Sequence, residues 1–279
     1  NPKKNYFVIV PDQFTMQTQM DFVTASDKGG IMNIDILSFS RLAHRIFEEV
    51  GGNEKPVLDD TGKSLILRKL ASKRAEELQA FGKNLNKQGY IHEVKSMLSE
   101  FMQYDISLTK LDKMIDSCEG RGLLQQKLKD LRILYQDFLS YINEKYITTE
   151  ETLDRVCKVI HKSEIVKGSV VVLDGFTGFT PIQNRLISAL LQVADEVIVS
   201  VTIDGRENPF VLDGEQKLFH LSKKTIKALN TLAKDIGVAR GEDILLMEQP
   251  VKRYENNEAL AHLENNLFRY PSDQFLLSE

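Results

Sequence analysis

The sequence predicts an α/β fold in which a parallel β-sheet is interrupted by an all-helical insertion. Two groups of apolar, β-branched runs indicate the strands: Tyr6–Val10 and Ile31–Leu37 near the start, then Val170–Leu173 and Val197–Ile203 in the last third. Between these groups, apolar residues recur only at helical spacing for about a hundred residues. Because parallel strands need crossover connections, one sheet built from both groups is the simplest architecture.

The first strands and helices alternate in residues 1–58. Tyr6–Val10 is continuously apolar, as is typical of a strand buried on both faces. Asp12 is the predicted cap of the helix that follows it. After the second strand, Ser38 or Ser40 is the predicted N-cap of another helix, and the pair Gly51-Gly52 ends that helix.

Residues 59–165 are predicted to be the helical insertion. One long amphipathic helix is indicated by apolar side chains three and four residues apart, at Leu124, Leu128, Leu131, Tyr135, Phe138 and Ile142. Glycines and short polar stretches separate it from its neighbours, so five or six helices are expected to pack together.

The α/β pattern resumes over residues 166–250. Thr180 followed by Pro181 is a strong helix start, because threonine caps the helix and proline suits its first position. Lys217–Ile236 is predicted to be a basic amphipathic helix. Residues 251–279 are predicted to be a linker toward a second domain.

The composition excludes several classes of protein. The 279 residues are 42% apolar and 27% charged, with 14 Phe and 8 Tyr, so a real core is expected and disorder is not. The formal net charge of -4 gives no strong overall attraction to nucleic acid or anionic lipid. No uncharged apolar stretch approaches the ~20 residues of a membrane-spanning helix. The two cysteines lack metal-ligand spacing, and a cytoplasmic protein without a membrane partner is expected.

Two segments of the insertion can be compared with phosphate-binding sequences. Thr61–Ser64 matches the tail of a P-loop, but Val57 stands where the motif needs glycine, so the first turn of a helix capped by Asp59, Asp60 or Thr61 is favoured. The segment between Thr61 and Tyr90 contains seven basic and two acidic residues, a local net charge of +5. This segment is either a phosphate-contacting surface or a solvated helix face.

Asp174 is the candidate for metal chemistry, because a carboxylate at the carboxyl end of a parallel strand points into the crevice where such sheets bind ligands. Haloacid dehalogenases need a second aspartate where Phe176 stands, and GTPases need glycine where Thr177 stands. What remains is the Walker B position of RecA-like ATPases, a magnesium ligand. Gly175 occupies the place of the glutamate that orients the attacking water there. An aspartate that only caps a turn is the alternative.

Three segments resemble a known family: VIVPDQFTMQTQ (8–19), DILSFSRLAHRIFEEVGG (35–52) and VVVLDGFTGFTPIQ (170–183). In this order, with a helical insertion between the second and third, they resemble the N-terminal helicase-like part of the AddB or RexB family, the B subunits of ATP-dependent helicase/nucleases. The resemblance covers nearly the whole chain. It implies a RecA-like, P-loop NTPase fold of the superfamily 1 helicase type.

The resemblance also implies site residues and missing parts. SFSRLAHRIF is similar to the helicase motif in which a strand end and a helix start contact single-stranded DNA, and VPDQFT is similar to the motif after the first crossover. The positions implied to face DNA are Gln13, Thr15, Ser38, Phe39, Arg41 and His44. By the same resemblance a P-loop precedes Asn1, and a second RecA-like domain and a nuclease domain with iron–sulfur cysteines follow Glu279, so ATP, magnesium and the cluster belong to the longer protein.

The function implied is that of a helicase-like, non-motor subunit of a bacterial helicase–nuclease, which processes double-strand DNA ends for recombinational repair. Its expected partners are DNA and the motor subunit AddA. The piece itself is expected to be catalytically inactive, because it has no P-loop and carries Gly175 after Asp174. Two alternatives stay open: a magnesium-dependent nucleotide hydrolase built on Asp174, and a protein-interaction module that docks through its helical insertion.

Overall fold

A computed structural model describes residues 4–27, 29–52, 55–82, 87–143, 145–246 and 252–268. The chain divides into two compact units, Asn1–Ser200 and Val201–Glu279. The strands described in the first unit are β1 (Tyr6–Ile9), β2 (Ile34–Leu37), β3 (Val57–Leu58), β4 (Ile147–Thr148), β5 (Val170–Leu173) and β6 (Glu196–Val199). Its helices are α1 (Thr15–Ala25), α2 (Phe39–Val50), α3 (Asp60–Lys73), α4 (Gln88–Gln103), α5 (Leu108–Ser117), α6 (Gly122–Ile142), α7 (Thr149–Val159) and α8 (Pro181–Val193).

Four strands form one parallel sheet in the order β2-β1-β5-β6. In the register, Tyr6 lies between Ile34 and Val170, so β5 pairs with β1 across more than 160 residues of sequence. The prediction that both strand groups belong to one parallel sheet is therefore confirmed. Each central strand is buried on both faces, which is why its sequence is continuously apolar rather than alternating.

The region between β3 and β4 is helical. No strand lies between residues 61 and 142 in the part that the structure describes. Helices α3 to α6 share one core, whose most buried members include Leu67, Leu98, Leu111, Leu134 and Phe138. At its base, β3 and β4 form a two-residue parallel ladder that the sequence pattern did not predict, because two residues are too few for a periodic signal.

Three of the predicted helix N-caps are confirmed and one is wrong. The Ser38, Asp59 and Thr180 side chains each accept the backbone N–H of the third helical residue, and Thr180 forms a capping box with Gln183. The prediction that Asp12 caps a helix is wrong. A 3₁₀ turn at Asp12–Phe14 leads directly into α1, and neither has a side-chain cap.

The second unit contains α9 (His220–Asp235) and α10 (Glu258–Asn266). The predicted basic helix at Lys217–Ile236 corresponds to α9. Among the described residues of this unit no apolar side chain is buried, and the Nζ of buried Lys223 binds the carboxylates of Glu207 and Asp213. Helix α10 lies within the stretch predicted as a linker. No helix among the described residues combines the length and apolar character that crossing a membrane requires.

Candidate nucleic-acid interface

A cleft of about 360 Å³ opens at the carboxyl edge of the sheet, where β1, β2 and β5 end and where α2 and α8 begin. Helices α4 and α7 form its opposite wall. Its lining is mostly polar and aromatic and includes Asp12, Gln13, Ser38, Phe39, Ser40, Gln103, Thr149, Glu150, Phe176, Thr180 and Gln183. The parallel sheet creates this opening, because its strands all end at one edge.

Hydroxyl groups from the start of α2 form a short chain along the cleft. The Ser38 Oγ lies 3.1 Å from the Ser40 Oγ, and the Ser40 hydroxyl donates to the Asp12 carboxylate at 3.4 Å. The Ser38 Oγ also accepts the Arg41 backbone N–H at 3.4 Å. These hydroxyls are thus engaged with each other, with the Arg41 N–H and with Asp12, and the N-terminus of α2 stands at the cleft. A helix N-terminus favours anions such as phosphate.

Three phenylalanines form an aromatic cluster beside these hydroxyls. The Phe39 ring lies 5.4 Å from Phe176 and 6.4 Å from Phe179, measured between ring centroids, and Phe176 lies 5.1 Å from Phe179. Phe39 is only 6% exposed, so its ring fills the core of the cluster. Phe176 and Phe179 are partly exposed and are the rings nearer to solvent.

The helical wall of the cleft contains a buried ion pair. The Lys63 Nζ lies 3.0 Å from both carboxylate oxygens of Glu150 and donates to the Ser99 Oγ at 3.3 Å. The two charged side chains are 3% and 7% exposed. Lys63 is the lysine of the P-loop-like tetrapeptide, and its ammonium is directed into the helical core. The prediction of a helix start capped by Asp59 is confirmed.

Asp174 follows the last residue of β5, beside the cleft but outside its lining. Its backbone N–H donates to the Ile9 carbonyl at 2.9 Å, and its exposed carboxylate accepts the Ser200 hydroxyl from the end of β6. Among the described residues, no three or more His, Cys, Asp or Glu side chains are grouped to hold a metal ion. One carboxylate fits magnesium only if substrate phosphates and waters complete the octahedron.

Gly175 follows in a left-handed conformation, with φ of +76°. A Cβ at this position would touch the Pro11 ring at 3.6 Å, which is ordinary contact. The constraint is therefore the backbone dihedral rather than space. A glutamate at this position would be strained in this conformation.

Arg185 on α8 holds the two walls of the cleft together. Its guanidinium binds the Asp105 carboxylate with two nitrogens, one of them at 3.1 Å, and the Asp154 carboxylate at 2.9 Å. The hydrogen bond from Arg185 lowers the pKa of the Asp105 carboxyl below its ordinary value. Asp105 follows α4 and Asp154 lies in α7, so this one side chain connects α8 to both helices of the opposite wall.

The structure brings three of the six predicted DNA-facing residues to the cleft: Gln13, Ser38 and Phe39. Thr15 is buried, and its hydroxyl donates to the Asp12 carbonyl at 3.0 Å. Arg41 and His44 are exposed on α2 outside the cleft lining. Of the remaining lining, the sequence pointed to Asp12, Ser40 and Thr180 only as candidate helix caps. The GFTGF segment after Asp174 was a visible signal for Phe176, and the spacing from Thr180 to Gln183 was a signal for Gln183. No local signal marked Gln103, Thr149 and Glu150.

The basic segment of the insertion is less cationic at its surface than its sequence implies. Lys63 is paired with Glu150, and the Arg74 guanidinium binds Asp137 and Glu77, each at 2.8 Å. Lys83 lies outside the described residues. The exposed basic residues that remain are Arg68, Lys69, Lys73 and Lys87.

Comparison with known proteins connects this architecture to one family. Residues 1–264 match the family described as ADDB, N-terminal. The chain belongs to this family. The AddB resemblance drawn from residues 8–19, 35–52 and 170–183 is thereby confirmed. In the structure these three segments supply β1, β2, β5 and the starts of α2 and α8, so the segments typical of AddB form the sheet side of the cleft.

Several AddB relatives are similar along almost the whole chain. A protein of Lachnoclostridium phytofermentans, named as the B subunit of an ATP-dependent helicase/deoxyribonuclease, is 44% identical over 277 residues, which are 98% of this chain and 24% of the relative. Proteins of the same name from Alkaliphilus oremlandii and Clostridium perfringens are each 31% identical, over 96% and 99% of this chain and 23% of their own length. The chain thus spans about a quarter of the length of these curated relatives.

Proposed function

We propose that this chain is the helicase-like region of a non-motor subunit in a bacterial helicase–nuclease, and that the carboxyl edge of its sheet binds single-stranded DNA. The observation that carries the proposal is the cleft, where the capped start of α2 and the Phe176 ring line one side and Phe179 packs against Phe176. Hydroxyls and helix N–H groups suit phosphate, and partly exposed aromatic rings suit unstacked bases.

The fold proposed for the sheet is RecA-like. Its support is the parallel order β2-β1-β5-β6 with Asp174 at the end of β5, next to the crevice. A motor role is disfavoured by two features. The P-loop-like lysine, Lys63, is held by Glu150, and a glutamate at position 175 would need a strained backbone. We expect this chain neither to bind ATP tightly nor to hydrolyse it.

The relatives' printed name supports a role within an assembly, because it describes one subunit of an ATP-dependent helicase/deoxyribonuclease. We propose that this chain likewise works beside a motor subunit of the AddA type, in processing double-strand DNA ends for recombinational repair. In this proposal ATP hydrolysis is supplied by the partner. The AddB-type subunit supplies a surface over which one strand passes.

Arg41 offers the direct test of the DNA-binding surface. It is exposed on the first turn of α2, three residues after the Ser38 cap. We expect Arg41→Ala to weaken binding of a single-stranded oligonucleotide and to reduce the salt slope of binding by about 0.7 per lost phosphate contact. Fluorescence anisotropy of a labelled oligo-dT across a salt series measures both quantities.

Arg45→Ala is the matched control. Arg45 lies one turn further along the same exposed helix face, and its guanidinium is 4.0 Å from the Asp35 carboxylate. This substitution removes the same charge farther from the helix N-terminus, so its salt slope should stay close to that of the wild type. Equal reductions of the salt slope by both substitutions would show that binding depends on net charge and not on the position of Arg41. An unchanged slope for Arg41→Ala would remove the start of α2 from the interface.

A further inference from the structure

A second cationic feature lies on the helical region, away from the cleft lining. The Tyr141 ring, near the end of α6, is approached by two ammonium groups: the Lys69 Nζ at 5.4 Å and the Lys145 Nζ at 5.2 Å from its centroid. Lys73 lies one turn beyond Lys69 on α3 and lines an open groove of about 480 Å³ together with Tyr141. We call Lys69, Lys73, Tyr141 and Lys145 the Tyr141 patch.

The charges of this patch are not neutralised by the carboxylates that the structure describes nearby. Asp137 and Glu77 also line the groove, but both carboxylates are occupied by the Arg74 guanidinium. No carboxylate among the described residues lies within 4.0 Å of the Nζ of any of the three lysines, in contrast to Lys63 and Lys95 of the same region. The carboxylates of the groove therefore bind its arginine, and the three lysines of the Tyr141 patch have no carboxylate partner among the described residues.

The arrangement has a physical consequence for ligands. Two ammonium groups attracted to one aromatic ring also repel each other, and Lys73 adds a third positive charge on the same side of α3. An anion that bridges them would offset this repulsion. A chain of evenly spaced anions fits three separated lysines better than a single small anion does, because each lysine is a point charge on a flexible stem.

We propose that the Tyr141 patch binds the phosphodiester backbone of single-stranded DNA, as a second contact beyond the cleft. The inference rests on the proposed function, because it assumes that a strand is already held at the sheet edge. Helix α3 joins the two places. Lys63 of α3 binds Glu150, which lines the cleft. Lys69 and Lys73 lie six and ten residues further along α3, which is roughly 9 to 15 Å at the rise of an α-helix.

The test compares two triple variants of equal charge. Lys69→Gln/Lys73→Gln/Lys145→Gln removes the lysines of the patch. The control, Lys113→Gln/Lys127→Gln/Lys129→Gln, removes three exposed lysines from α5 and the first half of α6. Binding of oligo-dT of 20 nucleotides is measured by fluorescence anisotropy over a salt series, and circular dichroism verifies that each variant is folded.

We expect the patch variant to bind roughly tenfold more weakly or worse and to lower the salt slope by about 2, the value for three phosphate contacts with a single strand. The control variant should keep the wild-type slope. Equal slopes for the patch variant and the wild type would overturn the proposal, as would equal losses in both triple variants. If the salt slope falls in Arg41→Ala but not in the patch variant, the cleft interface is supported and only the proposal for the Tyr141 patch is refuted.

Discussion

The buried ion pair between Lys63 and Glu150 yields the sharpest prediction. Replacing Lys63 by Met removes an ammonium that is 3% exposed and lies 3.0 Å from both oxygens of a carboxylate that is itself 7% exposed. The carboxylate is then left almost without water or a counter-charge. Breaking a buried pair in this way costs about 3–5 kcal/mol of unfolding free energy. We expect a loss of this size for Lys63→Met in urea unfolding followed by circular dichroism.

The double variant Lys63→Met/Glu150→Leu should recover most of that loss. Replacing both partners by apolar residues of similar size removes the uncompensated charge, and such replacements are often neutral or stabilising. Arg68→Met is the control, because Arg68 is an exposed cation on the same helix, and it should change stability by at most about 0.5 kcal/mol.

Two results would refute the reasoning. One is a loss below about 1 kcal/mol for Lys63→Met, which would mean that the carboxylate is hydrated without its partner. The other is a double variant whose loss of stability equals the sum of the losses of the two single variants, which would show that the two side chains are not coupled. Nucleotide binding that disappears in Lys63→Met while stability is unchanged would instead support the P-loop interpretation of Thr61–Ser64.

Three further predictions concern side chains whose environments are equally specific. Asp130 is buried, and its carboxylate accepts the backbone N–H groups of residues 79, 80 and 81 at 3.1, 2.8 and 2.9 Å. Asp130→Asn should therefore lower the free energy of unfolding in urea by about 3 kcal/mol. An unchanged stability would show that water replaces these contacts. Burial, reinforced by the charge of Asp154, raises the pKa of the Cys157 thiol to about 11. Its alkylation by iodoacetamide, followed by mass spectrometry, should therefore be at least about a hundredfold slower at pH 8 than that of free cysteine and should rise with pH toward pH 11, whereas a plateau below pH 10 would contradict the burial. The pKa of Asp105 is lowered by Arg185 in the folded state, so its contribution to stability is present above the unfolded pKa of about 4 and is lost as the pH falls through the lower folded value. The variant Arg185→Met should flatten the acid limb of stability against pH, and an identical limb would exclude this pair as its cause.

Much of the fold could be predicted because it depends on local pattern. Strands buried on both faces must be apolar throughout, so runs such as Tyr6–Ile9 and Val170–Leu173 stand out in the sequence. A capped helix needs a side-chain acceptor at a defined place, and Ser38 and Thr180 provide one. The β3–β4 ladder escaped prediction because its pairing joins segments ninety residues apart through only two residues each.

The candidate site was only half predictable for the same reason. The sheet side of the cleft comes from three contiguous segments, so Gln13 and Ser38 could be identified from the sequence. The opposite wall comes from α4 and α7, whose polar residues have no distinguishing local pattern. Asp12 was misassigned as a cap because its side chain is engaged by Ser40, which the strand pairing brings beside it.

Local residue patterns predicted the family, the parallel strands, the helical region between them and three helix starts, because each depends on residue types within about a dozen neighbouring positions. Which charges are available to a ligand depends instead on tertiary packing. Lys63 and Arg74 look like surface cations in sequence, but they are paired with Glu150 and Asp137, while Lys145 joins Lys69 around Tyr141. The physical reason is that the state of a charge depends on the burial and the partners brought to it by packing, and these partners are more than sixty residues away in sequence.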